Sequence, residues 1–364
     1  MEINMTDPII RTLDNASKTM TGAAVAALRA RLRGQVALPG EDGYDAARSI
    51  WNAMIDRRPA LVVRCLGTAD VIQALTLARD EGLLVSVRSG GHNIAGNAVA
   101  DGGLLIDLSL MRSVRVDPAS RTARVEPGAT LADFDKEAQS FALAAPLGIN
   151  STTGVAGLAL GGGFGWTTRK LGLTIDNLMS ADVVTADAKL VHASDKENQD
   201  LFWALRGGGG NFGIVTSFEF KLQPIGPEVL SGLIVHPLEG AGELLGHFRR
   251  IASEAPDELT TWVVMRKAPP LPFLPADWHG REVLIFAACY SGGMQEGEKA
   301  VKALRGLGTP IADAIAPHRF TAWQAAFDPL LTPGARNYWK PRLYRSFRWC
   351  HQSNPRWGAH AALA

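Results

Sequence analysis

The stretch from Pro146 to Gly165, PLGINSTTGVAGLALGGGFG, constrains this chain more than any other. Glycine and small hydroxyl residues recur along it, yet Val155, Leu158, Leu160 and Phe164 keep it apolar. A flexible linker would be rich in serine and would lack these side chains. The segment therefore reads as ordered backbone packed closely against something flat, with a ligand-free glycine-rich crossover as the plain alternative. The residues whose backbone such a surface would use are Gly148, Asn150, Thr152, Thr153, Gly154, Gly157, Gly161 and Gly162.

Two further glycine clusters flank it. Arg88-Ser89-Gly90-Gly91-His92-Asn93 follows a strand, and its glycines permit positive φ and close approach of a ligand. Successive N–H groups in such a turn point into one concavity that suits a phosphate. Ser89 offers a hydroxyl donor, and His92 would stand beside whatever is bound. A tight turn carrying a surface histidine is the competing reading. The third cluster runs from Arg206 through Gly207–Gly210 to Asn211, Gly213, Ile214 and Val215, and leads into a strand. A nicotinamide-type dinucleotide fingerprint is disfavoured, because no Gly-x-Gly-x-x-Gly lies between the first strand and the first helix.

Around these clusters the pattern is that of an α+β protein. Helices are expected over Thr21–Arg33 and 44–58, and from Ala69 with Thr68 as N-cap and Gly82 as C-cap. Strands are expected at Leu61–Cys65 and Leu83–Arg88, giving a βαβ unit. Strands at Leu104–Leu108, Val114–Val116 and Thr122–Glu126, a helix over Thr130–Ala142 and a hairpin turning at Asp187-Ala188 follow. The chain then reads helix Asn198–Leu205 and strand Gly213–Leu222. The Pro-rich run at 223–227 marks a boundary. Beyond it, strand 229–236, helix 240–254, strands 259–266 and 282–290 and helix 294–305 suggest an antiparallel sheet with helices on one face. The expected organisation is an N-terminal helical segment (1–40), a two-part ligand-binding domain (41–225), an incomplete substrate domain (226–340) and a basic tail (341–364).

The 364 residues carry a net charge of +1, which gives no basis for binding nucleic acid or an anionic membrane. No apolar run approaches the ~20 residues that span a bilayer. The N-terminus lacks a basic region followed by an apolar stretch, and Cys65, Cys289 and Cys350 are widely spaced. A reducing cytoplasmic setting is the expectation. His236, His247, His279 and His318 show no metal-ligand spacing. Trp203 and Trp323 read most simply as core aromatics, and Tyr338 as a core or surface tyrosine, with a place at the border of a substrate pocket as the alternative. Asp176 and Asn177 read equally as a ligand-side loop or a turn holding its own backbone.

The three glycine clusters, in this order and spacing, resemble the vanillyl-alcohol-oxidase-like flavoproteins with a PCMH-type FAD-binding domain, and within them the berberine bridge enzyme-like oxidases. Arg88-Ser89-Gly90-Gly91-His92 matches the attachment motif, Gly154 to Gly165 the flavin-cradling segment, and Gly208 to Val215 the closing segment. The resemblance implies FAD bonded through a His92 ring nitrogen to the flavin 8α-methyl. It implies hydride transfer from an alcohol, sugar or amine carbon of a small substrate to flavin N5, with O2 or another acceptor taking the electrons. Many relatives have a cysteine where this chain has Asn150, so a single covalent link is expected. Ile94 replaces a substrate-contacting tyrosine of some alkaloid-oxidising relatives, and Thr153 replaces a small apolar residue that influences oxygen access. The catalytic base is not identified, because the relatives' C-terminal part that carries it has no counterpart here.

From Pro341 the chain turns basic and aromatic without helical or strand period, while Arg336-Asn337-Tyr338-Trp339-Lys340 still resembles the family. A change of reading frame near Lys340 is the expectation, against a nucleic-acid-binding tail. Under it the product would be a truncated flavoprotein, and a non-catalytic remnant becomes one of its readings.

Overall fold

The computed structural model describes residues 7–339. The expected change at Lys340 and the basic tail lie outside them. The described chain forms two compact units. The first holds the residues up to Gly165, Leu171–Pro224 and Gln324–Tyr338. The second holds Trp166–Lys170, Ile225–Trp323 and Trp339.

The first unit contains two sheets. One has four strands in the order Gln35–Ala37, Leu61–Arg64, Leu104–Asp107, Val85–Arg88. The last three are parallel, and Gln35–Ala37 is antiparallel to its neighbour. The predicted βαβ unit is present through helix Thr68–Asp80, but its two strands are not neighbours, because Leu104–Asp107 inserts between them. All four residues of that central strand are buried, as expected of a strand covered on both faces. Residues 89–103 make the return from Val85–Arg88 without a helix, and that loop carries His92.

The other sheet is antiparallel, in the order Leu190–Ser194, Leu178–Val184, Ile214–Lys221, Thr122–Val125, Val114–Asp117. Its core joins Phe218 and Phe220 to Phe134 of helix Leu131–Gln139 and to Val155 and Ala159 of a short helix, Val155–Leu160. Thr130 caps the longer helix through a capping box with Asp133.

In the second unit the strand order is Leu259–Lys267, Glu282–Tyr290, Glu228–Pro237, Ala312–Asp313, with Ala316–Arg319 also paired to Glu228–Pro237. Period-two alternation sorts its faces. Leu284, Phe286, Ala288 and Tyr290 share a core with helices Ala241–Glu254 and Met294–Arg305. Val283 and Ile285 face the other way, toward Leu274.

Several expectations need correction. The helix expected over 44–58 stops at Arg48, since Trp51 and Asn52 are held in irregular backbone by bonds to residues 331–337. Gly67, not Thr68, caps helix Thr68–Asp80, and its C-cap is Glu81, with Gly82 following at φ +62°. The N-terminal segment holds a hairpin, Ile9–Arg11 with Ser17–Thr19, besides its helix Gly22–Arg31. Trp203 is 75% exposed. Helix Gln199–Leu205 turns Phe202 and Leu205 inward, and the next position on a helix faces elsewhere. Trp203 lines a shallow surface pocket with Ile175, Asp176 and Arg206. Trp323 is buried, and Tyr338 is exposed.

Candidate functional site

The first unit brings the three glycine clusters together around helix Val155–Leu160. At its start, Gly90 and Gly154 meet backbone to backbone. A Cβ on Gly90 would lie 2.4 Å from Gly154 N, and one on Gly154 would lie 2.5 Å from Gly90 N. Only glycine at both positions permits this approach. The turn Gly209–Phe212 lies against the same helix. On that helix Gly157 is exposed and a Cβ there would meet nothing within 4 Å. Gly162, at φ +112°, has the same open space before it. The cradle is therefore bare backbone with room in front of it.

His92 lies beside Thr152 and Thr153, just before this helix. Its ring stacks on Trp51, with centroids 5.0 Å apart and planes 23° off parallel. Nε2 is 2.9 Å from Thr152 Oγ1, and Nδ1 is 3.5 Å from Thr153 Oγ1. Burial pushes the imidazole down to about 4, against the opposing pull of a hydrogen bond to the Thr152 backbone and the charge of Asp328. The ring is thus neutral at physiological pH, as a nitrogen nucleophile must be.

The residues behind His92 are locked. Arg88 is buried and donates from Nε and Nη2 to Asp107 at 3.1 Å each, and from Nη1 to the Ser49 carbonyl at 2.7 Å. Trp51 N donates to the Gly91 carbonyl at 3.1 Å, while Trp51 Nε1 donates to the Leu331 carbonyl at 3.0 Å. Asn52 exchanges two hydrogen bonds with the Asn337 backbone. Ser151 N and Oγ both donate to Asp328.

The predicted site residues separate accordingly. His92, Gly90, Gly91, Asn150, Thr152, Thr153 and Gly154 gather at one place. Gly157, Gly161 and Gly162 line the continuing wall along the helix and past its end. Arg88 is not a free donor, because Asp107 and Ser49 engage it. The Ser89 hydroxyl donates to the Pro127 carbonyl at 2.5 Å. Asn93 is exposed and accepts from Asn97 N. Gly148 is buried, and its carbonyl accepts from Gln324. Asn211 caps its own turn through Gly208, and the Ile214 and Val215 side chains are buried in the core. Those three, with Gly213, offer backbone alone. Asp176 and Asn177 bond the backbone at 171–173, as the turn reading has it. Trp51, Asp107, Asp328 and Leu331 were not anticipated. Asp107 left a signal, a carboxylate ending an apolar strand in register with Arg88. The others sit in irregular segments without pattern.

This cradle suits FAD: unobstructed backbone for a long flat cofactor, and a neutral imidazole at one end. Residues 59–194 match the model of an FAD binding domain, and beyond that domain the chain is similar to FAD-linked oxidoreductases and oxidases. It is 38% identical over 285 residues to the (R)-6-hydroxynicotine oxidase of Paenarthrobacter nicotinovorans, covering 78% of this chain and 61% of that one. Glucooligosaccharide oxidase of Sarocladium strictum is 39% identical over 199 residues, 52% of this chain and 38% of that one. Among solved structures, 6-hydroxy-D-nicotine oxidase from Arthrobacter nicotinovorans superposes with a TM-score of 0.74 at 36% identity, covering 81% of this chain and 64% of that one. Xylooligosaccharide oxidase from Myceliophthora thermophila, in complex with xylobiose, gives 0.71 at 28% identity, covering 84% and 63%. The chain thus spans less than two thirds of the length of these relatives. Among the described residues no cluster of three His, Cys, Asp or Glu could hold a metal ion, and no helix is long and apolar enough to cross a membrane.

Proposed function

We propose that this chain is an FAD-dependent oxidoreductase that holds its flavin by one covalent bond from His92 and oxidises a small alcohol, sugar or amine. The neutral, Trp51-stacked imidazole beside the bare Gly90–Gly154 contact carries this reading. The names of the relatives, oxidases of hydroxynicotine and of oligosaccharides, support the substrate class and O2 as acceptor.

FAD in this cradle would accept a hydride from a substrate carbon at N5. The chain's own residues prepare the place. Trp51 covers one face of His92 and keeps water from it, so that the imidazole stays uncharged. Arg88 and Asp107 hold the loop that carries it. Gly157 and Gly162 leave the wall open, and Asn150, with no thiol, adds no second link. Residues 41–225 would form most of the cofactor domain, which Gln324–Tyr338 completes in place of the expected boundary at 226–340, and Ile225–Trp323 would form part of the substrate domain. The buried thiols Cys65 and Cys289 fit a reducing, cytoplasmic setting.

Anaerobic mixing with a panel of alcohols, sugars and amines tests the activity. At least one should bleach the flavin absorbance, and air should restore it with release of peroxide. No bleaching by any member would leave a non-catalytic flavin-binding chain. Bleaching without recovery in air would replace O2 with another acceptor.

A further inference from the structure

Asn150 has no part in the linkage above, yet its side chain is held from both ends. Its Oδ1 accepts from Thr152 N at 3.0 Å and from Thr152 Oγ1 at 2.6 Å. Its Nδ2 donates to the Leu331 carbonyl at 3.3 Å. A backbone N–H only donates and a carbonyl only accepts, so these partners fix which end of the amide is oxygen. The Thr152 hydroxyl has a single proton, and Asn150 Oδ1 takes it. Thr152 Oγ1 therefore meets His92 Nε2, 2.9 Å away, as an acceptor, and Nε2 must carry the ring proton. A neutral imidazole has one N–H, which leaves the lone pair on Nδ1. Thr153 Oγ1, at 3.5 Å, is too far to tie that lone pair up.

We propose that Asn150 and Thr152 are positioning residues that hold His92 as its Nε2–H tautomer, so that the flavin is joined through Nδ1. The proposal rests on the reading of His92 as the point of attachment. In the joining step the Nδ1 lone pair forms the bond to the 8α carbon and a C–H bond of that methyl breaks. One proton leaves the methyl and one leaves the imidazole. The electron pair of the broken C–H bond passes to the flavin and from there to molecular oxygen, which with the two protons becomes hydrogen peroxide.

The holoenzyme itself carries the answer. Proteolysis of the yellow protein, followed by NMR of the isolated histidyl-flavin, identifies the bonded nitrogen. The expected result is Nδ1. Thr152→Val keeps the side-chain shape and removes the acceptor. One hydrogen bond of ordinary strength shifts a tautomer ratio by roughly two- to tenfold. The variant should therefore lose covalent flavin by that factor or yield the Nε2-linked isomer. Thr152→Ser, which keeps the hydroxyl, should restore both yield and isomer. An Nε2 bond in the parent protein, or a Thr152→Val protein unchanged in yield and isomer, overturns the relay while leaving the attachment at His92 intact. A parent protein with flavin bound only noncovalently overturns the attachment and the relay with it.

Discussion

At the residue scale the account turns on two groups, His92 and the Arg88–Asp107 pair. His92 is held well below its ordinary value by burial, so the folded state resists taking up a proton that the unfolded chain accepts. Its contribution to stability is complete above about pH 6.5 and falls as the pH drops toward about 4, where the folded state also protonates. Flavin attachment should follow the neutral imidazole. Loading of apoprotein with FAD should be level from about pH 8 to 5 and decline as pH nears 4, which absorbance of acid-precipitated protein measures. Asp107 is fully buried, and it accepts from Arg88 and from Arg64. Asp107→Ala strands the Arg88 guanidinium and should cost about 3–5 kcal/mol in urea unfolding. That His92 sits in a tight glycine turn was legible from its two neighbouring glycines. Its partner Trp51 was not, since no local pattern ties position 51 to position 92.

At the element scale, two glycines of one short segment should respond in opposite ways. Gly154→Ala forces a Cβ to 2.5 Å from both Gly90 N and Ser89 Oγ, and backbone cannot yield cheaply there. Overpacking of this kind costs about 1–3 kcal/mol, so the melting temperature should fall. Gly157→Ala meets nothing and replaces glycine within a helix, which should stabilise the flavin-free protein by up to about 1 kcal/mol. The same methyl stands on the wall proposed to face the cofactor, so flavin content should drop. Thermal melting together with flavin-to-protein ratio separates the two effects. The strands of the second unit were legible because one face alternates cleanly against its helices. Helix Val155–Leu160 was not, because glycine obscures the 3.6-residue period. The helix expected past Arg48 failed because tertiary bonds at Trp51 and Asn52 override local propensity.

At the scale of the whole molecule, the first unit is completed by a late segment, Gln324–Tyr338, that returns after the chain has passed through the second. No sequence pattern announces that return, because it is made through single hydrogen bonds. One of them is buried. Gln324 Nε2 donates to Asp135 Oδ2 at 3.1 Å and to the Gly148 carbonyl at 3.3 Å. Asp135 Oδ1 and Gln324 Oε1 find no donor among the described residues. Burial raises Asp135 to about 7, against the hydrogen bond from Gln324 that lowers it. The folded state thus binds this proton more tightly than the unfolded chain does. The stability it contributes is complete below pH 3.8 and is lost as pH rises through about 7. Asp135→Asn has no charge to bury, so at about pH 8 it should melt a few degrees above the parent protein, with the difference shrinking toward pH 5.

The most direct test of the central claim is intact mass. Yellow protein denatured in acid should weigh one FAD more than the bare polypeptide, and His92→Ala should weigh the bare polypeptide and release its flavin to the supernatant. A parent protein that appears at the bare mass, or a His92→Ala protein that keeps the added mass, would contradict the account.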